Sequence, residues 1–494
     1  MWGSLERGPY SVGFQRQFVH DRSRTWKLTG PGDPPFKADL DGRPIEFNTW
    51  FPAAASSHHR QMLLADYYPR SAPPGFVLLN TVMNARADWD GIDAVASHAP
   101  GSDADTHMAA LSNAHPVRGR FPVVLMFSGG GDDLYANVVM AEYLAGHGMV
   151  VVSVSLLGPS DENTAPSADR DGVEMTVRDM EYVLAIVRRD PYVDPGRVAT
   201  VGHSIGAVEA LLVAMRNSRI SAVVGLDGTY GFKGMAQTAT SAMGYFPERF
   251  TGALLDARRA EGEGGAELDN SVVESLRFGE RWQVTLSGMQ HDDFTSRAET
   301  GALAFHGKDL PAVVQSGKAG YEFVCKLVND FLVGHFKRGG KAVFDGEGAA
   351  RSVGAGYKHW VADAPPVTAW QEWAVTIPKG QEAVEGKLGE RCGSEPLESC
   401  TAVESLGAAG GEFAARGQLY EALMVRQILA RAKPMSVFAQ DLLADAYRAV
   451  GDWAGYRRAV EKAVELMPMD PGLAPEVRPS FEQMERNKLD RLPP

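Results

Sequence analysis

The sequence predicts a doubly wound, mostly parallel α/β sheet over residues 1–345, followed by a small all-α region over residues 401–494, with 346–400 as a linker. Three observations carry this. Unbroken apolar runs alternate with helix-spaced segments between residues 122 and 226. One such run leads straight into Gly202-His203-Ser204-Ile205-Gly206, and a helix-spaced segment follows it. Near the C-terminus, a shift of 34 residues superposes Gly417 on Gly451, Pro434 on Pro468 and Phe413 on Tyr447. Strands covered on both faces read as continuous hydrophobic runs, and their alternation with helices is the pattern of a parallel sheet.

In chain order, Tyr10–His20 and Pro44–Phe51 alternate, are rich in aromatics and read as edge strands. Residues 53–120, rich in Ala, Asp, His and Pro, read as an insertion. Pro122–Phe127 is the first central strand and ends in Ser128-Gly129-Gly130-Gly131-Asp132. A helix near 134–145, a strand at 149–156 and a helix at 175–188 follow. Arg197–His203 is the strand that enters Ser204, Ile205–Arg216 the helix that leaves it, and Ile220–Leu226 a strand ending at Asp227. Beyond it, 231–280 is a candidate cap containing a strand-like Thr251–Ala257, and Trp282–Leu286 is a further strand. An amphipathic helix over Tyr321–Phe336 closes the domain. The 34-residue period near the C-terminus is that of tetratricopeptide repeats. Two repeats bury too little on their own, so this region is expected to dock on the rest of the chain, on a protein partner or on a second copy.

Composition limits the function. The 494 residues allow two or three domains, and 44% hydrophobic with 22% charged residues is ordinary for a globular chain. With 49 basic and 62 acidic residues the net charge is −13, without long runs of one sign, which argues against a nucleic-acid or anionic-membrane surface. No run has the length of a transmembrane helix. Met-Trp-Gly-Ser-Leu-Glu-Arg lacks a signal-peptide core, so a cytoplasmic location is the default and an exported form with a missing leader the alternative. Three cysteines exclude a disulfide scaffold. Cys325 reads as core, and pairing of Cys392 with Cys400 would accompany export.

The chemistry centres on Ser204. Gly-x-Ser-x-Gly on a strand-to-helix turn exposes the serine hydroxyl, and the glycines let the turn pass close to its neighbours. A serine hydroxyl needs a base in hydrogen-bond reach, and on such a sheet the chain order is Ser, acid, His. His291, in the loop after Trp282–Leu286, is the expected base. Asp227 is the favoured acid and Asp256 the alternative. The oxyanion donors are the backbone N–H of Ile205 and one from the glycine loop, Gly131 or alternatively Gly130. Asp103-x-Asp105-x-His107 and His58-His59 read as solvated loop rather than metal ligands, and neither a P-loop nor a dinucleotide fingerprint is present, so no cofactor is implied.

Residues 121–294 resemble the platelet-activating-factor acetylhydrolase and dienelactone-hydrolase branch of the α/β-hydrolases. The resemblance rests on Phe121-Pro-Val-Val-Leu-Met-Phe-Ser128, Leu144-Ala-Gly-His-Gly-Met-Val-Val-Val152, Gly202-His-Ser-Ile-Gly206, Gly225-Leu-Asp227 and Gly288-Met-Gln-His291. It implies that the acid follows the strand after the nucleophile helix, which matches Asp227, and that the oxyanion donor maps to Gly131. The chain departs from the acetylhydrolases in having Gly129 where they have a histidine, and from dienelactone hydrolases in having serine rather than cysteine. The expected activity is hydrolysis of a small-molecule carboxylic ester. The alternatives are a peptidase or amidase on the same fold, or a non-catalytic scaffold using the C-terminal helices.

Overall fold

The computed structural model describes residues 3–26, 42–55, 58–68, 71–76, 79, 105–130, 132, 135–159, 166–261, 267–303, 305, 309–337, 344–364 and 369–490. They form two compact units, Met1–Pro365 and Pro366–Pro494.

Among the described residues, the first unit is built on one sheet of eleven strands in the order β11-β10-β9-β8-β7-β5-β6-β2-β1-β4-β3. The strands are β1 Ser11–Asp21, β2 Arg43–Ala53, β3 Gln61–Leu63, β4 His107–Leu111, β5 Phe121–Phe127, β6 Val150–Val154, β7 Val193–His203, β8 Ile220–Leu226, β9 Ala253–Arg259, β10 Glu280–Leu286 and β11 Gly356–Trp360. From β6 to β10 every neighbouring pair is parallel. Every residue of β5 and β6 is buried, as the unbroken apolar runs require. The principal helices are α1 Val138–Gly146, α2 Arg170–Val187, α3 Ile205–Arg216 and α4 Ala312–Lys337. One apolar cluster joins α1 and α4 to one face of the sheet, and a second joins α2 and α3 to the other.

The predicted edge strands are in fact interior. β2 pairs antiparallel with β6 and with β1, and all its residues are buried. Part of the predicted insertion continues the sheet outward as β4 and β3, so the insertion supplies sheet edge rather than loop. It is anchored by Glu142 on α1, whose carboxylate accepts from the N–H groups of Ala109 and Ala110 and from the Tyr67 hydroxyl at 2.8–2.9 Å. Residues 80–104 of that insertion, including Asp103, lie outside the described residues. On the opposite face, Arg43 of β2 makes a two-pronged contact with Asp179 of α2 at 2.8–2.9 Å. Both side chains are buried, which ties the N-terminal hairpin to the central layers.

The predicted cap behaves differently. Its segment from the short helix Gln237–Thr240 to Phe246 packs against the C-terminal end of α3, where Arg216 donates to the Met243 carbonyl and the Phe246 N–H to Met215 Sδ, whereas Phe232 lies against Arg259 and β9 belongs to the sheet. Twelve helical residues span about 18 Å, so the Arg216 and Met215 contacts lie at the end of α3 away from Ser204.

The predicted linker 346–400 is also structured. It contains a helix at Gly346–Ser352, then β11, which pairs antiparallel with β10, and then helices of the second unit. Its Gly and charge content hid β11, five residues of a weakly buried edge strand.

The second unit is all-helical, with α5 Gln381–Cys392, α6 Thr401–Ala415, α7 Leu419–Ala432, α8 Val437–Ala449, α9 Trp453–Leu466 and α10 Arg478–Asp490. Gly417 between α6 and α7 and Gly451 between α8 and α9 both have positive φ, +77° and +79°. The 34-residue register thus reflects the same glycine-closed helix hairpin used twice. Cys392, ending α5, is disulfide-bonded to Cys400, which caps α6.

Candidate active site

β7 runs into Ser204 and α3 starts at the next residue. The turn is tight. A Cβ on Gly202 would collide with the backbone of Gly206, and one on Gly206 would come within 2.5 Å of the Ser128 carbonyl oxygen. Ser204 has φ +55° and ψ −123°, which an L-residue adopts only when its surroundings force it. Its N–H donates to the Leu226 carbonyl, pinning the turn to the end of β8 (3.0 Å). Its hydroxyl lies 3.4 Å from Thr229 Oγ1. Among the described residues only Asn113, Ser204 and Asp227 are non-glycine residues with positive φ. Two of these three were picked from the sequence as nucleophile and acid.

Asp227, just past β8, is fully buried. Its Oδ2 lies 2.5 Å from Nδ1 of His291. Arg259, the last residue of β9, donates its backbone N–H to Oδ1 (3.0 Å) and its Nε–H to Oδ2 (2.7 Å). Burial pushes the Asp227 carboxyl up. The His291 hydrogen bond, the Arg259 N–H and the Arg259 guanidinium outweigh burial and hold it below the ordinary value, so it is an anion at neutral pH. A carboxylate accepting from Nδ1–H leaves the lone pair on Nε2, the tautomer a general base needs. His291 starts a short 3₁₀ turn and keeps its side chain 28% exposed, within reach of solvent and substrate.

The alternative acid is committed elsewhere. Asp256 stands in the middle of β9, because that strand runs two residues further than its apolar pattern suggests. It accepts from Tyr230 Oη (3.2 Å), Arg258 Nε (2.6 Å) and Gln283 Nε2 (2.9 Å).

The glycine loop is shaped by Asp132, whose Oδ2 accepts from the Gly129 N–H (3.1 Å) while its own N–H donates to the Gly129 carbonyl (3.1 Å). The Gly129 N–H is therefore engaged inside the loop. Gly130 faces Ile205: a Cβ on it would lie 3.5 Å from Ile205 Cγ2. Gly131 lies outside the described residues. Ile205 opens α3, so its N–H has no acceptor within the helix. Gly129, where the resemblance calls for histidine, has a steric cause. A Cβ there would meet Asp132 Oδ2 at 2.6 Å and His203 Nδ1 at 2.8 Å.

Four neighbours escaped the sequence reading: Asp132, His203, Thr229 and Arg259. Two of them lay inside recognised stretches, His203 at the variable position of Gly-x-Ser-x-Gly and Asp132 at the end of the glycine loop. Arg259 carried a weaker signal, being a charge at the end of an apolar run. Among the described residues no group of three or more His, Cys, Asp or Glu is arranged to hold a metal ion.

This architecture and the family comparison agree on the fold. Residues 122–305 match the family model of the α/β-hydrolase fold, and the first unit has that fold. No curated protein matches the chain. Among solved structures, a ferulic acid esterase from Streptomyces cinnamoneus is similar at 15% identity and a TM-score of 0.46, covering 72% of this chain and 98% of its own. A dienelactone hydrolase-like promiscuous phosphotriesterase from metagenomic libraries is similar at 13% identity and a TM-score of 0.33, covering 64% of this chain and 97% of its own.

Proposed function

We propose that the protein is a serine hydrolase that cleaves a carboxylic ester through an acyl-enzyme on Ser204. The observation that carries this reading is the Asp227–His291 contact at 2.5 Å, on the loops that flank the strained Ser204 turn. In the first step His291 removes the hydroxyl proton as Ser204 attacks the ester carbonyl. The oxyanion is received by the N–H of Ile205 and by one from the glycine loop, Gly131 or Gly130. Collapse expels the alcohol, which takes the proton from His291. Water then repeats the sequence and releases the acid. Asp227 stays ionised throughout, orienting the ring and stabilising its cation.

A fluorophosphonate probe tests this directly. One adduct is expected, on Ser204, together with turnover of p-nitrophenyl esters and not of aminoacyl anilides. An adduct elsewhere overturns the nucleophile, and anilide turnover without ester turnover overturns the substrate class.

A further inference from the structure

A second Asp–His pair lies beside the first. His203 is 2% exposed, and both of its ring nitrogens face acceptors. Nε2 is 3.2 Å from the backbone carbonyl oxygen of His291, and Nδ1 is 3.2 Å from Asp132 Oδ2. A carbonyl oxygen only accepts, so Nε2 carries a proton. Asp132 Oδ2 already accepts from the Gly129 N–H, and Asp132 Oδ1 lies 3.3 Å from the Arg297 guanidinium. A carboxylate so placed is an acceptor as well. Burial pushes Asp132 up, but the contacts with His203, Arg297 and the Gly129 N–H hold it below its usual range. The ring therefore stands between two acceptors, one on the glycine loop and one on the base-bearing loop.

We propose that His203, held between Asp132 and the His291 carbonyl, is a positioning residue for the base. It ties together three segments: the glycine loop through Asp132, the serine turn through its chain neighbour Ser204, and the base-bearing loop through the His291 carbonyl. Its ring centroid is 4.6 Å from that of His291, at an interplanar angle of 34°. The charged groups bearing on the two rings are Asp132 and, behind it, Arg297 on the His203 side, with Asp227 and, behind it, Arg259 on the His291 side. Asp292 binds Arg297 from the exposed side (3.2 Å). The inference rests on reading Ser204, His291 and Asp227 as the catalytic groups.

Two variants test the clamp. His203→Phe keeps a ring and loses both N–H donors, so its kcat should be at least about tenfold lower with KM little changed. His203→Gln keeps a side-chain N–H donor and should recover most of that loss. An equal loss of kcat in both variants, or no loss in His203→Phe while Ser204 is still labelled by fluorophosphonate at the wild-type rate, overturns the inference and leaves the proposed function standing. Failure of the probe to label Ser204 in the wild type overturns the function instead.

Discussion

At the scale of single residues, the strongest constraint is that the serine turn and Asp227 are both held in strained backbone by their neighbours. Ser204→Ala is expected to lower kcat by on the order of 10⁴ or more, since only the oxyanion donors and binding remain, with little change in Tm. Asp227→Asn and Asp256→Asn should diverge in activity but not in stability. Each neutralises the carboxylate that pairs with a buried arginine, Arg259 or Arg258, at a cost of roughly 3–5 kcal/mol in denaturant melts. Only Asp227→Asn should lose about 10⁴-fold in kcat, because only Asp227 holds the His291 tautomer. Greater loss of kcat in Asp256→Asn would refute the assignment of the acid. The sign of the pH effect follows from the depressed carboxyls of Asp227 and Asp132. Their stabilisation is present above the unfolded carboxylate value of about 4 and is lost as pH falls through the lower folded values. Acid unfolding of Asp227→Asn should therefore be less steep below about pH 4 than that of the wild type.

At the scale of elements, two junctions give separate tests. Glu299, in the helix Arg297–Leu303, lies against α4. Burial and Glu322 push its carboxyl up and Lys318 pulls it down, leaving it at about 7. A raised carboxyl contributes stability below the unfolded value and loses it as pH rises through about 7. Glu299→Gln should therefore gain Tm relative to the wild type at pH 8 and not at pH 5. Equal differences at the two values would contradict this. In the second unit, the Cys392–Cys400 bond joins α5 to α6 and encloses a short loop. Unfolding without reductant should leave only Cys325 open to iodoacetamide, as mass spectrometry would show. Labelling of all three cysteines would refute the bond. Pairing would in turn point to an oxidising compartment rather than the cytoplasmic default.

At the scale of the whole molecule, the two units have separate apolar clusters, and every group in the proposed chemistry belongs to the first. Removing residues 366–494 should leave kcat and KM for a small soluble ester within about twofold, if the helices serve a partner or a second copy as the repeat pattern suggests. A rise in KM confined to bulky esters would assign the helices to the substrate entrance. Loss of folding would show that the first unit depends on them.

Much of this was legible along the chain because it is local. The apolar runs of β5, β6 and β8 have no polar face to hide, Gly202 and Gly206 are demanded by a turn that tolerates no Cβ, and the hairpins at Gly417 and Gly451 repeat in register. The interior position of β2, the sheet-forming part of the insertion and the pairing of β11 depend on partners far away in sequence, which no local period reveals. The same holds at the site. Ser204 declares itself by its immediate neighbours, and the choice between Asp227 and Asp256 needed β9 laid beside β8. The sequence by itself determined the fold class and the tight turn at Ser204, because these follow from backbone periodicity and steric limits within a few residues. Only the tertiary structure decided which carboxylate meets His291, why Gly129 replaces a histidine, and that His203 is enclosed between two acceptors, because buried charge is set by what surrounds it in space.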